Sequence, residues 1–405
     1  MISDSLSRHF KGIAVKKLTA VEAHPERSNQ HEFNGVAALK ELFGTDGPLT
    51  TRARFVWLSD DEFDLASDDG YVTWYDARAN HPTRTEHRLY FPTTSVTERA
   101  NEGDTVLIAR QHDDAVLVII AASGSSAETQ LLWLFGMEAS GSQFVFRAIS
   151  KDNDQPLGAA ATFLLDQIGI TPENQDEDLL AEMKTRFERG FPTTAEFSAF
   201  AQRSLGAIDF VRDPDAGLVA LMEREEKLFR IFERHLLTER LTEGFMSAGE
   251  ADVDGFVTFS LAVQNRRKSR VGHALEHHTD HVLGANEIRR TRNPVTENRI
   301  RPDFVFPGIE EYRIRDIPVE RLTVLAVKSS CKDRWRQILT EAQRISTKHL
   351  LTFEPGISGQ QLREMMAHRV QLVVPIPIQS TYSSEERDAI MSVAQFIDLV
   401  RARQQ

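Results

Sequence analysis

Asp303 follows Pro302 at the head of the apolar run "DFVFP", and Lys328 ends a second apolar run, "LTVLAVK". Glu341 stands thirteen residues beyond that lysine, three after Ile338 and four before Ile345. On a helix those spacings share one face, and the two isoleucines need burial, so the carboxylate is aimed inward with them. A carboxylate among apolar neighbours is costly unless a cation receives it. Two carboxylates and a lysine meeting at strand ends make a site for a hard divalent ion, Mg²⁺ with some of its waters retained. Such an ion would polarise a phosphate oxygen and lower the pKa of a bound water. Lys328 would orient or deprotonate that water and screen the charge that grows in the transition state. The same three residues, taken on spacing alone, also fit an ordinary structural ion pair.

The elements that would carry them are legible as pattern. Beyond residue 178, helical spacing occupies roughly 179–247, including "AEFSAFAQRSL" and "EREEKLFRIFERHLLTERL". Strands then alternate with helices: "DFVFP", "LTVLAVKS", a helix over 333–347, "HLLTF", a helix over 358–368, "VQLVVP" and a last helix over 384–403. That alternation predicts an α/β domain with a central mixed sheet. The N-terminal part reads differently. Short β-rich segments lie at 13–20, 53–59, 71–77, 86–91, 105–111, 115–122 and 130–136, separated by turns such as "SDDG" (67–70) and "HDD" (112–114). A single short helix is expected over 35–44. Seven or so short strands with little helix suggest a small barrel. The acidic, proline-containing stretch 171–178, "TPENQDED", reads as a hinge between a domain over 1–170 and another over 179–405.

Composition limits the partners. The charged and apolar fractions, 27% and 41%, are those of an ordinary globular protein. "MISDSLSRHFKG" has no apolar stretch of the signal-peptide kind, and "AVLVIIAA" (115–122) is too short to cross a bilayer. A single cysteine, Cys331, allows no internal disulfide, so a cytoplasmic location is expected. A net charge of -12 disfavours unspecific polyanion binding but leaves room for a basic cleft. Two basic clusters occur, "NRRKSR" (265–270), with Arg266, Arg267, Lys268 and Arg270, and "RRTRNPVTENRIR" (289–301). Lys332 and Arg334 add cations just beyond Lys328.

These segments carry a resemblance. "NRRKSRVGHALE" (265–276), "PDFVFP" (302–307) and "LAVKSSCKDRWRQIL" (325–339) resemble the corresponding parts of EcoRII-type restriction endonucleases, type IIE enzymes of the PD-(D/E)XK nuclease superfamily. The resemblance covers roughly 180–405 well; over 1–170 it is weaker and rests on element order, "KKLTA" and "TRTEHR". Most of the superfamily has an acid two residues before the lysine, where this chain has Ala326; in the EcoRII branch the next helix supplies it, and Glu341 takes that place. The resemblance thus implies a catalytic set of Asp303, Lys328 and Glu341, with Asp303 and Glu341 holding Mg²⁺. It implies that Lys332, Asp333 and Arg334 read C·G pairs in the major groove, where Arg and Lys donate to guanine and Asp accepts from cytosine. Asp333 is equally placed to cap a helix. Arg266, Arg267, Lys268 and Arg270 become phosphate contacts near a helix start. Glu276 is open to two readings, a helper at the metal or a solvated helical carboxylate.

The family sandwiches flipped central bases between an Arg and a Tyr, but the positions aligned from "DPD" (213–215) are Met222 and Glu226, which implies a different centre to the target, or none. The N-terminal domain is similar to the family's effector-binding domain, a B3-like pseudobarrel that grips a second DNA site and blocks the catalytic cleft until it does. "SNQHEFNG" (28–35) and "TRTEHR" (83–88) are its candidate arms, with His31, Arg84, Glu86, His87 and Arg88 as contacts. The expected partners are double-stranded DNA at two or more sites and a second copy of the chain, paired through the C-terminal domain to match a palindrome. The expected setting is a restriction–modification system. Two other classes stay in view. One is a non-cleaving DNA-binding regulator with a degenerate nuclease domain. The other is a zinc hydrolase using His273, His277 and His281, although "HALEHHTDH" lacks the HExxH arrangement.

Overall fold

The computed structural model describes residues 5–24, 31–45, 47–61, 64, 66–138, 141–150, 161, 164–165, 168–170, 177–188, 190–247 and 250–405, the side chains of Glu177, Asp178, Ser247, Lys268, Lys332 and Asp333 excepted. The chain divides into two compact units, Met1–Pro172 with Gly356–Gln360, and Glu173–Pro355 with Gln361–Gln405. Of the expected hinge, residues 171–176 lie outside the described residues, as do residues 28–30 of the first candidate arm.

The first unit is built on an eight-stranded sheet. Its strands are β1 (Phe10–Lys17), β2 (Glu32–Asn34), β3 (Leu49–Leu58), β4 (Ala66–Asp76), β5 (His87–Tyr90), β6 (Thr105–Gln111), β7 (Val116–Ala121) and β8 (Val145–Ala148). They lie in the order β2-β5-β4-β3-β7-β6-β1-β8, with β3 and β7 parallel and the other neighbours antiparallel. Alternation along β3 sends Phe55 and Trp57 to one core and Val56 and Leu58 to another, as a period of two requires. The sheet curls: Phe33 of edge strand β2 meets Phe144, the residue before edge strand β8, with ring centroids 5.5 Å apart. The expected barrel is thus a curled sheet whose two edges meet at a pair of rings. Helix α1 (Ala37–Phe43) ends at Gly44, at φ 82.

Two expectations fail here. Residues 130–136 belong not to a strand but to helix α2 (Ser126–Phe135). Ser125 caps it by accepting the Glu128 N–H at 3.0 Å, and Gly136 ends it in the left-handed region. A short apolar run looks the same by composition in either state, and the caps decide. The "SDDG" stretch is not a turn but part of β4, where Asp68, Asp69 and Gly70 pair with Phe55, Arg54 and Ala53.

The second unit begins with helices α3 (Glu177–Arg186), α4 (Thr194–Ser204), α5 (Pro214–Glu243) and α6 (Val253–Ala285), the last two linked by a two-strand hairpin of β9 (Met246–Ser247) and β10 (Glu250–Ala251). A five-stranded sheet follows: β11 (Thr291–Arg292), β12 (Phe304–Phe306), β13 (Thr323–Lys328), β14 (Lys348–Thr352) and β15 (Val370–Val373), in that order. β11, β12 and β13 are antiparallel, and β13, β14 and β15 are parallel, so the sheet is mixed as expected. Helix α7 (Gly359–Ala367) lies between β14 and β15, and α8 (Val393–Gln404) closes the chain. The last helix does not run unbroken from 384. The backbone of Met391 joins the sheet beside β15, donating to Leu372 O and accepting from Val374 N, and Ser392 then caps α8.

One face of this sheet, with Phe304, Phe306, Leu325 and Val327, packs against α5, α6 and α8 through Leu218, Leu221, Leu275 and Phe396. Val305 and Val324 face the other way, into a cluster with Tyr312, Ala342 and Ile345. Among the described residues no helix is long and apolar enough to cross a membrane.

Candidate active site

Strand parity builds the site. Asp303 shares a face with Val305, and Lys328 with Val324 and Ala326, so both project on the side of the sheet away from α5 and α6. The antiparallel register, Phe304 opposite Leu325, brings the residue before β12 beside the far end of β13. Asp303 Oδ2 accepts from Lys328 Nζ at 2.9 Å and from the Val327 backbone N–H at 2.6 Å. Both side chains are nearly closed off from solvent, at 11% and 14% exposure.

Glu341 reaches the same place by another route than the sequence suggests. The expected helix over 333–347 is a 3-10 helix, Lys332–Thr340, and Glu341 is the extended residue just beyond it. The reason lies in the backbone that follows. Ala342 takes φ 41, which ends helical geometry. The buried Lys348 donates to the carbonyls of Glu341, Ala342 and Ile345, groups a continuing helix would have spent on itself. Glu341 is still buried, and Ile338, Ala342 and Ile345 around it are buried too. Its Oε2 has no hydrogen-bond partner. Burial pushes its carboxyl up to about 7; Lys328 pulls the other way and the Asp303 charge adds to the rise. Glu341 therefore lies within electrostatic reach of the Asp303–Lys328 pair, which sits where β12 begins and β13 finishes.

The arrangement fits a hard divalent ion. A buried carboxylate oxygen without a hydrogen-bond partner, within electrostatic reach of a second carboxylate, has room for a further cation, and two carboxylates with retained waters are a donor set Mg²⁺ uses. Among the described residues no group of three or more His, Cys, Asp or Glu side chains is disposed to hold a metal. The three candidate histidines of α6, His273, His277 and His281, go to different neighbours. His277 Nδ1 lies 2.8 Å from Arg292 Nη1, and burial, followed by that guanidinium, lowers its pKa to about 4. His281 stands edge-on to Phe210, and His273 is largely exposed. Glu276 is engaged by Arg292 at 3.2 Å.

The basic cluster 265–270 is placed differently from expectation. It lies in the middle of α6, not near a helix start. Arg270 is buried, ion-paired with Glu226 and 3.7 Å from Glu225, with its guanidinium 4.0 Å over the Phe229 ring. Arg267 holds the buried Glu233 at 2.7 Å. Three glutamates of α5 that turn inward claim these cations, because a buried unpaired carboxylate costs more than a surface cation gains. Arg266 is exposed and lies 4.6 Å over the Phe191 ring; the side chain of Lys268 lies outside the described residues. Glu226 is thus held between Arg230 and Arg270, and Met222 is part of the core.

The segment expected to read bases forms the 3-10 helix. The side chains of Lys332 and Asp333 lie outside the described residues, and Arg334 is half-buried. The backbone is held at this end as well: Glu354, buried just past β14, accepts from the Cys331 N–H. Cys331 is itself buried, and burial followed by the Glu354 charge pushes its thiol pKa well up, which leaves no reactive thiolate.

In the first unit, Arg84 is exposed on the connection between β4 and β5. Glu86 and Arg88 are bound to each other, Arg88 also to Glu32 at 2.6 Å and Glu86 to Arg78 at 2.5 Å. His87 does not face outward: it is buried, its ring stacked on Trp74 at 5.2 Å, because alternation along β5 puts it on the core side with Leu89. His31 is half-buried and lies edge-on to Phe91. Sequence reasoning missed Lys348 and Glu354 altogether. A lysine opening an apolar strand ("KHLLTFE") was the available signal for the first.

Comparison with known proteins bears on the second unit. Residues 229–397 match the family described as EcoRII C terminal. The chain is 37% identical over 211 residues to the type II restriction enzyme EcoRII of Escherichia coli, a match covering 51% of this chain and 50% of that enzyme. The chain therefore spans about half the length of the curated relative it matches. Among solved structures it is similar to metal-depleted Ecl18kI in complex with uncleaved, modified DNA (TM-score 0.45, 16% identity, 56% of this chain and 84% of that one). It is also similar to a restriction endonuclease PspGI–substrate DNA complex (TM-score 0.43, 17% identity, 53% and 93%). Residues 229–397 thus resemble the C-terminal part of the EcoRII-type restriction endonucleases.

Proposed function

We propose that the protein is a Mg²⁺-dependent type II restriction endonuclease that hydrolyses both strands of double-stranded DNA at a short palindrome with C·G half-sites. The observation that supports this reading is the bonded Asp303–Lys328 pair within electrostatic reach of Glu341, with a buried Glu341 oxygen left without a partner. Asp303 and Glu341 would hold the ion, which when bound polarises a phosphate oxygen and acidifies a water. Lys328, tied to Asp303, holds its ammonium where an attacking water and the charge on phosphorus need it. Arg334, with Lys332 and Asp333, reads the flanking C·G pairs. Arg266 remains a phosphate contact, while Arg267 and Arg270 serve the fold instead.

The rest of the reading concerns assembly and control. The first unit is a B3-like effector domain whose curled sheet presents Arg84, Glu86 and Arg88 to a second copy of the site. By analogy with the family it holds the catalytic unit in check until that copy is bound. Two symmetry-related active sites for a palindrome require a homodimer through the second unit. The test is digestion of DNA with the purified protein and Mg²⁺, followed by sequencing of fragment ends. A single recurrent cut position in a palindrome supports the reading, and intact DNA under all divalent ions returns the choice to a non-cleaving DNA-binding regulator.

A further inference from the structure

We propose that Lys348 is the positioning residue of this site: its ammonium, caged by three carbonyls, fixes the turn that presents Glu341 to the ion. The inference rests on the reading of Asp303, Lys328 and Glu341 as a metal-dependent site. Glu341 sits beyond the end of the 3-10 helix, on a single turn with neither a helix nor a strand to hold it. That turn contains Ala342 in the left-handed region, a conformation that persists in a non-glycine residue only when its surroundings impose it. What imposes it is visible. Lys348 opens β14, is buried, and donates to the carbonyls of Glu341, Ala342 and Ile345, the last two at 2.7 and 2.6 Å. All three ammonium protons are thereby used on five consecutive residues, in charge-assisted bonds that are stronger than neutral ones. A metal ligand must be held to within about 0.5 Å of its working position, and this cage is what the structure provides.

A merely structural lysine would change stability without changing how the site takes its ion. The experiment uses the full chain with Lys348→Met and Lys348→Gln, and Glu341→Gln and Lys328→Ala as references. Three quantities are read: Tb³⁺ luminescence titrations without DNA, the Mg²⁺ dependence of cleavage, and duplex binding in EDTA. The expected result is that half-saturation by Tb³⁺ and by Mg²⁺ rises about tenfold or more, as for other residues that orient a metal ligand. Cleavage at saturating Mg²⁺ and duplex binding in EDTA stay near wild type. Folded variants with unchanged half-saturation overturn the inference, and so does loss of the fold in both, which would make Lys348 a stability element. If Glu341→Gln and Lys328→Ala themselves leave ion binding and cleavage intact, the site reading fails first; if they abolish cleavage and the Lys348 variants shift nothing, only this inference falls.

Discussion

Glu341 should make the metal-free protein less stable than it could be, because its carboxyl is buried. Its carboxyl titrates at about 7 in the fold against 4.5 in an unfolded chain, because burial disfavours the charged form. Folding therefore takes up a proton between those values. The contribution of this residue is at its best below pH 4.5 and is lost as pH rises through about 7. At about 1.4 kcal/mol per pH unit, the loss above neutrality amounts to about 3 kcal/mol. Glu341→Gln removes the charge and keeps the shape, although its buried amide wants a partner that the site lacks, so the net gain is about 1–3 kcal/mol. The assay is urea unfolding in EDTA at pH 8 and at pH 5, followed by Trp335 fluorescence in a background with Trp57, Trp74 and Trp133 replaced by Phe. The variant should exceed wild type at pH 8, and the gap should shrink at pH 5 and in saturating Mg²⁺, which stabilises only the wild-type carboxylate. A variant no more stable than wild type at pH 8 would refute the claim that this carboxylate is held ionised at a cost for the sake of an ion.

The same titration predicts that apparent Mg²⁺ affinity falls about tenfold per pH unit below 7, because the ion must displace one proton; calorimetry in buffers of different ionisation enthalpy checks this. Lys328→Ala should abolish cleavage while a mobility-shift assay with Ca²⁺ finds duplex binding largely intact. Arg270→Ala should cost about 1–3 kcal/mol of stability by removing one of the two guanidiniums on Glu226 and the stacking on Phe229, whereas a phosphate contact would show as weaker DNA binding with little change in stability. Deleting residues 1–170 should raise the rate on single-site DNA; a folded fragment with unchanged or lost cleavage would remove the effector reading of the first unit.

How much of this was legible in the sequence follows from what periodicity can encode. The parallel strands of the second unit were readable as continuous apolar runs, because a sheet covered on both faces has no polar side to alternate with. Asp303 and Lys328 could be placed at strand ends for the same reason. Glu341 was found through the wrong element: helical spacing to Ile338 and Ile345 indicated burial, but the inward turn is made by a left-handed Ala342 and a buried lysine, neither of which leaves a periodic trace. Arg267 and Arg270 read as a surface cluster because their partners, Glu233, Glu225 and Glu226, are some 35 to 45 residues earlier, and pairing over that distance is a property of packing. Residues 130–136 misled as a short apolar run because the helix start signal, Ser125, lay five residues before it, and its closing Gly136 reads equally as the end of a strand.

The 3-10 helix is held at both ends by one strand, Glu354 past the end of β14 gripping Cys331 and Lys348 at its start gripping the turn after Thr340. On the proposed reading, the first end chooses the target and the second performs the cut. With each end moored separately, residues 332–334 are free to change during evolution without loosening the chemistry. A lineage built on this scaffold has room to diversify in what it recognises while its rate of hydrolysis is inherited unchanged.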